Sequence, residues 1–290
     1  MKIAVFVAAL LAVTPAACSG PAPATPPPAS SPPAAPSPVA GPLPRPDHVV
    51  VVVLENHGID QMSGATFLNQ LAAQGARFTG ATAITHPSQP NYLALFSGDT
   101  QGVTDDSCPH TFTGPNLGRQ LTDAGDTFAA YSEDLPQPGY LGCQTGDYVR
   151  WHAPWTDFTT VPPTANRPLT EFGPDYAKLP TVSFVIPNMC HNMHDCDPVI
   201  ADAWLRANFG PFTRWAATHN SLLIVTFDEA EDGSATNGIP LSFTGPMVRP
   251  GTYPEPVDHY RLLRTVEALY GLPALGHAAA QTPITDVWRR

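Results

Sequence analysis

The first apolar run of the folded region is residues 48–54, HVVVVVL, in which five valines and a leucine follow one another without a polar break. Such a run predicts a strand buried on both faces, because β-branched residues pack well on a pleated surface and resist helix. Similar runs at 181–186, stopped by Pro187, and at 221–227 predict two more buried strands. Weaker strand patterns fall at 77–83, 127–131 and 239–244. Helical spacing of apolar residues occupies 67–73, closing at Gly75, and 116–124, closing at Gly125. It recurs at 198–219, with a predicted break at Gly210-Pro211, and at 259–270, which Gly271 caps with Pro273 beyond. Strand and helix alternate almost throughout. The pattern predicts an α/β fold built on a doubly wound, mostly parallel sheet, with a loop-rich insert from about 98 to 180.

The beginning of the chain has a different pattern. Lys2 precedes an apolar stretch at 3–13 that is too short to span a bilayer, and residues 1–17 read as an export signal. Ala16 and Ala17 before Cys18 resemble a bacterial lipoprotein cleavage site, where Cys18 would carry the lipid and hold the protein at a membrane. Pro15 stands where that pattern usually has Leu, so ordinary cleavage nearby is the other reading. Thirteen of the 35 prolines lie between Pro15 and Pro46, and Arg45 is the single charge from 18 to 46. Residues 18–46 are therefore expected to form a disordered, extended spacer, and 47–290 the folded domain.

Charge and cysteines narrow the class. The chain of 290 residues carries a net charge of -11, and all 25 acidic residues lie beyond Pro46. Bulk attraction to nucleic acid or another polyanion is disfavoured. Setting Cys18 aside leaves Cys108, Cys143, Cys190 and Cys196, an even number in an exported chain, which predicts two disulfides. Cys190 with Cys196 and Cys108 with Cys143 is the simplest pairing; a four-thiolate zinc site is the alternative, but the short knuckle spacing is missing.

Three polar clusters follow the three buried strands: Glu55-Asn56-His57, then Asn188 with His191, His194 and Asp195, then Asp228-Glu229. Any one of them could simply form a turn or cap a helix. Together, at the carboxyl ends of strands in an open α/β sheet, they predict a common crevice. Glu55, Asp228 and Glu229 would repel one another there unless a cation neutralised them, so a divalent metal of unspecified identity is expected. Between the strands lies THPSQPNY, residues 85–92, followed by the apolar stretch 93–96 and Ser97-Gly98. Prolines at a helix start place Ser88 at the positive N-terminal end, which welcomes phosphate. Its hydroxyl is either a cap or a nucleophile. His57, His110, His152, His219 and His277 lack comparable company and read as surface or packing residues.

The strings VVVLENHGIDQM, THPSQPNYLALFSG, PNMCHNMHDC, IVTFDE and DHYRLLRTVEALYGLPALG, in this order, resemble the bacterial phosphoesterase family of secreted acid phosphatases and phospholipases C, within the alkaline phosphatase-like superfamily. The resemblance implies that residues 47–290 are a catalytic domain hydrolysing phosphate monoesters, phosphoinositides among them, as a secreted or lipid-anchored acid phosphatase. It implies Glu55, Asn56, Asp228 and Glu229 as metal ligands, although Glu229 stands where some relatives have Asp or His. It makes Ser88 the nucleophile, with Thr85 a rival hydroxyl, and Asn91 an amide that holds a phosphate oxygen. His191, His194, Asp195 and His259 match positions that bind a second metal, the phosphate or the leaving group. A phospholipase C or phosphodiesterase would use the same metal and serine. A non-catalytic envelope lipoprotein would be expected to have lost Ser88 or Asp228, and both are present.

Overall fold

The computed structural model describes residues 43–289. The expected export signal, Cys18 and most of the spacer lie outside the described residues. In chain order the principal elements are β1 (His48–Leu54), α1 (Thr66–Gln74), β2 (Ala76–Ala81), α2 (Ser88–Ser97), α3 (Leu117–Asp123), β3 (Phe128–Ser132), β4 (Gln144–Thr145), β5 (Tyr148–Val149), β6 (Asn166–Pro168), β7 (Val182–Ile186), α4 (Pro198–Ala216), β8 (Ser221–Phe227), β9 (Leu241–Thr244), β10 (Gly251–Val257) and α5 (His259–Leu269). Eight strands form one sheet in the order β10-β2-β9-β8-β1-β7-β3-β6, and β4 and β5 make a separate small hairpin.

The valine run occupies the inner part of the sheet, between β8 and β7, where Val49 to Leu54 are at most 1% exposed. Its neighbours there are both parallel to it. The strands pair in register, with Leu54 opposite Phe227 and Val52 opposite Val185. The carboxyl ends of β1, β8 and β7 therefore open on one edge. The ladder continues one step beyond the strands, because the Asp228 N–H donates to the Leu54 carbonyl at 2.9 Å. That bond sets Asp228 beside Glu55.

β9 alone runs antiparallel to its neighbours, β2 and β8. The sheet also contains two strands that the sequence pattern did not predict. β10 carries Pro254 and Pro256, and β6 ends in Pro168; both lie at the outer edges, where a missing N–H costs no ladder bond. The expected break of the long helix at Gly210-Pro211 does not occur, and α4 runs through Pro211 without interruption. Phe209 and Phe212 on either side of the proline are buried at 1% and 0% exposure, while Pro211 faces solvent. Aromatic burial on the inner face, worth about 1.5–3 kcal/mol per side chain, offsets the lost backbone bond. Both disulfides form as the simplest pairing, Cys108 with Cys143 and Cys190 with Cys196.

The far end of α2 is fixed by a close backbone approach. Gly98 has φ 72°, and its carbonyl accepts from the His277 N–H at 2.7 Å. A Cβ at this position would stand 2.3 Å from the Leu275 carbonyl oxygen, which only glycine avoids. The same 275–277 segment is tied to α5, where the Leu275 N–H donates to Glu267 at 2.8 Å. Glu267 has no exposed surface, and burial raises its carboxyl to about 7, against the lowering effects of the Leu275 hydrogen bond and Arg264. The folded protein thus holds this proton to a higher pH than an unfolded chain with a Glu near 4.3, so stability falls as pH rises through that window. Glu267→Gln keeps an acceptor for Leu275 and removes the titration. Denaturant unfolding from pH 4 to 8 should show the variant gaining stability relative to wild type as pH rises; parallel profiles would contradict the assignment.

Candidate active site

Glu55 sits immediately after β1 with no exposed surface, and its backbone N–H donates to the Asn192 carbonyl at 2.8 Å. Ser88 is the first residue of α2 and is 4% exposed. Its Oγ donates toward Glu55 Oε2 at 3.0 Å and lies 3.4 Å from Glu229 Oε1. Asp228 follows β8; its Oδ1 accepts from the Asn56 N–H at 3.2 Å, while its Oδ2 is buried without a partner. Asn56 adopts the left-handed conformation at φ 51°, which asparagine tolerates better than most side chains, and its buried Oδ1 also lacks a partner. Glu55, Ser88, Asp228, Glu229 and the Asn56 backbone are thereby brought to one place by β1, β8 and the start of α2. Thr85, the rival hydroxyl, donates to the His86 carbonyl rather than to a carboxylate.

Other expected positions have different surroundings. Asn91, expected to hold a phosphate oxygen, is fully buried and braces the loop ahead of α2. Its amide donates to the carbonyls of Thr85 and Pro87 and reaches Glu229 Oε2 at 3.3 Å, while its oxygen accepts from the N–H groups of Ile84 and Thr85. A residue one turn into a helix is the natural brace for the loop entering it. His259 is buried at the start of α5, where its Nε2 bonds the Asp228 carbonyl at 2.6 Å; burial lowers its pKa. His191 stacks on Trp204, and its Nδ1 lies 3.0 Å from Glu133, whose Oε1 also accepts from Trp204. His194 pairs with Asp195 at 2.7 Å on exposed surface. Among the described residues His191 and His259 thus each bond a partner outside this group, and His194 and Asp195 bond each other. Three of them lie within the Cys190–Cys196 loop, and His259 begins α5.

The geometry also adds residues. His152, read from the sequence as a surface or packing residue, is 1% exposed, and its Nε2 lies 3.2 Å from Glu55 Oε1. Burial, with a smaller effect of His194, lowers its pKa to about 3. Tyr92 donates to the same Glu55 oxygen. Its position four residues after Ser88, on the same helix face, was a signal available in the sequence. Asp106 accepts from the Gln89 N–H at 2.8 Å and so occupies one of the free donors at the start of α2. His86 Nδ1 lies 2.8 Å from Glu229 Oε2. Asp106 and His152 come from the insert, where no periodic pattern marks them.

The electrostatics of the cluster are those of acids held too close together. Burial raises Glu55 well above the usual carboxylate range, with Asp228 adding to it. Burial likewise raises Asp228 to about 7, and Glu229 to about 9 with further repulsion from Asp228, Asp106 and Asp232. Among the described residues no three His, Cys, Asp or Glu side chains converge as a preformed metal cage. The donor set nonetheless fits a divalent cation, because it combines hard carboxylate and amide oxygens with two buried oxygens, Asn56 Oδ1 and Asp228 Oδ2, that have no other partner.

Residues 65–273 match the profile of the Phosphoesterase family. The phosphatidylinositol-3-phosphatase of Mycobacterium tuberculosis is 49% identical over 252 residues, an alignment covering 85% of this chain and 84% of that protein. A phosphate-repressible acid phosphatase of Penicillium chrysogenum and an acid phosphatase of Aspergillus fumigatus are each 32% identical, over 79% and 78% of this chain. The chain spans only 60% and 55% of those two fungal proteins. Among solved structures, a protein of the alkaline phosphatase superfamily from Vibrio parahaemolyticus superimposes with a TM-score of 0.59 at 12% identity, covering 84% of this chain and 72% of that one. A lipoteichoic acid synthase from Listeria monocytogenes gives 0.58 at 12% identity, over 83% and 76%. At such identity the likeness is one of fold.

Asp228→Asn keeps an acceptor for the Asn56 N–H and removes the charge beside the unpartnered oxygen. Calorimetric titration of EDTA-stripped protein with Mg²⁺, Ca²⁺, Mn²⁺ and Zn²⁺ should show affinity for the preferred cation reduced about tenfold or more in the variant. Unchanged affinity would remove Asp228 from the ligand set.

Proposed function

Because the chain belongs to the phosphoesterase family and is a phosphoric ester hydrolase, we propose that it is a metal-dependent acid phosphatase that cleaves phosphate monoesters with Ser88 as nucleophile. The observation that carries this reading is the position of Ser88 Oγ, at the first residue of α2 and between Glu55 Oε2 and Glu229 Oε1. Phosphoinositides are the proposed substrate class, supported by the near full-length likeness to the mycobacterial phosphatidylinositol-3-phosphatase. The proposal extends to an extracytoplasmic enzyme with an export signal at 1–17, a spacer at 18–46 and a lipid on Cys18, a location in which its two disulfides persist.

In this mechanism the flanking carboxylates take the hydrogen bond and then the proton of Ser88 as Oγ attacks phosphorus in line. The leaving alcohol departs, and phosphate stays esterified to Ser88. Water then attacks the phosphoserine, releases phosphate and returns the hydroxyl. Glu55, Asn56, Asp228 and Glu229 would hold a divalent cation, which when bound supplies Lewis-acid stabilisation and lowers the pKa of the nucleophilic hydroxyl. His194, exposed and paired with Asp195, is the proposed proton donor to the leaving oxygen, a role supported by the family resemblance of its position. That role needs the imidazolium form, which favours acid medium.

Ser88→Ala should lower the rate of p-nitrophenyl phosphate hydrolysis by roughly 10³-fold or more, with the circular dichroism spectrum unchanged. EDTA should abolish wild-type activity, and a divalent cation should restore it. Substantial residual activity in the variant would point to Thr85 or to direct attack by water. Faster hydrolysis of bis-p-nitrophenyl phosphate than of the monoester would make the enzyme a diesterase.

A further inference from the structure

We infer that Tyr92 and His152 are positioning residues that hold one oxygen of Glu55, so that Glu55 presents only its other oxygen to the nucleophile and the cation. The inference rests on the proposed role of Glu55 at the Ser88 centre.

Both oxygens of Glu55 are accounted for. Oε1 accepts from the Tyr92 hydroxyl and faces His152 Nε2 at 3.2 Å, and Oε2 faces Ser88 Oγ at 3.0 Å. A carboxylate free at both oxygens can rotate about its terminal bond or bind a cation through both of them. The Tyr92 hydroxyl donating to Oε1, with the His152 imidazole packed beside it, removes that freedom. Tyr92 and His152 also fix each other, since their rings stack with centroids 4.9 Å apart and planes inclined by 16°, and each is 1% exposed. His152 Nδ1 is buried without a partner, so the contact to Glu55 is the polar interaction of this imidazole.

The two arms have different origins. Tyr92 lies one turn after Ser88 on α2, so the same helix carries the nucleophile and one arm of the clamp. His152 ends a short 3₁₀ turn, Arg150–His152, in the insert. Arg150 is itself buried and fixes this turn through Thr156, the Leu141 carbonyl and Asp157. Its backbone N–H donates to the carbonyl of Cys143, which is disulfide-bonded to Cys108. A specific task for the insert follows, namely placing an imidazole against the back of Glu55.

The test uses the full chain with Tyr92→Phe, His152→Phe and His152→Gln. Tyr92→Phe removes the hydroxyl donor and His152→Phe the nitrogen facing Glu55, each keeping a ring. His152→Gln returns an amide N–H near the Nε2 position. Each protein is stripped with EDTA and titrated with the single cation that best restores wild-type activity, and kcat and KM for p-nitrophenyl phosphate are measured separately. Thermal melting checks the fold. Tyr92→Phe and His152→Phe should weaken cation affinity and lower kcat by roughly 10- to 100-fold, with KM little changed, and His152→Gln should recover most of both losses. Wild-type cation affinity in the two Phe variants, or a Gln variant as impaired as the Phe variant, would overturn the inference while leaving the metal reading intact. A wild-type protein that binds none of the four cations would overturn the metal reading and this inference with it.

Discussion

Glu55 and Asp228 are forced together by the strongest element of the fold. β1 and β8 run parallel with Leu54 opposite Phe227, so the next residue on each strand must share the same edge. Burial then holds both acids, and Glu229 after them, well above the usual carboxylate range, with repulsion from Asp228 adding to it at Glu55 and Glu229. The sheet therefore maintains a costly concentration of buried acid at the point where α2 supplies a hydroxyl. Such an arrangement persists where function requires it, because the apolar core stabilises the frame irrespective of what stands at its edge.

Much of the surrounding structure braces that edge. Asn91 closes the loop before α2, Asn192 anchors the Glu55 backbone, and His259 anchors that of Asp228. Asn237 joins the 230 loop to the 85 loop through Ala230 N–H and the Thr85 carbonyl. At the opposite end of α2, Gly98 and the 275–277 segment lock the helix to α5. Ser88 is thus positioned from both ends of its helix, and small errors in nucleophile placement are costly in rate.

The order of these elements was readable in the sequence because apolar runs and helical spacing record burial. Residues 48–54 and 221–227 match their strands to the residue, and the alternation implied the mostly parallel sheet. β6 and β10 were not readable, since their prolines argue against a strand unless the edge position is already known. The uninterrupted course of α4 depended on tertiary burial of Phe209 and Phe212 rather than on local preference. At the site, Glu55, Asn56, Asp228, Glu229 and Ser88 were marked by their places after strands or at a helix start. His152 and Asp106 carried no such mark, because each is delivered by a loop whose path is set by a disulfide and by side-chain bonds. Conversely, the string that groups His191, His194 and Asp195 in sequence gives them different partners in space, since His191 lies against Glu133 and Trp204 while His194 and Asp195 pair with each other on exposed surface.

The account depends most on Ser88 carrying the phosphoryl group. The direct measurement is rapid acid quenching of the enzyme during turnover of a phosphate monoester, followed by peptide mass spectrometry across residues 82–98. The account predicts one phosphoryl group on Ser88 that appears on mixing and disappears as substrate is exhausted. A phosphoryl group on Thr85, or turnover with Ser88 unmodified throughout, would contradict it.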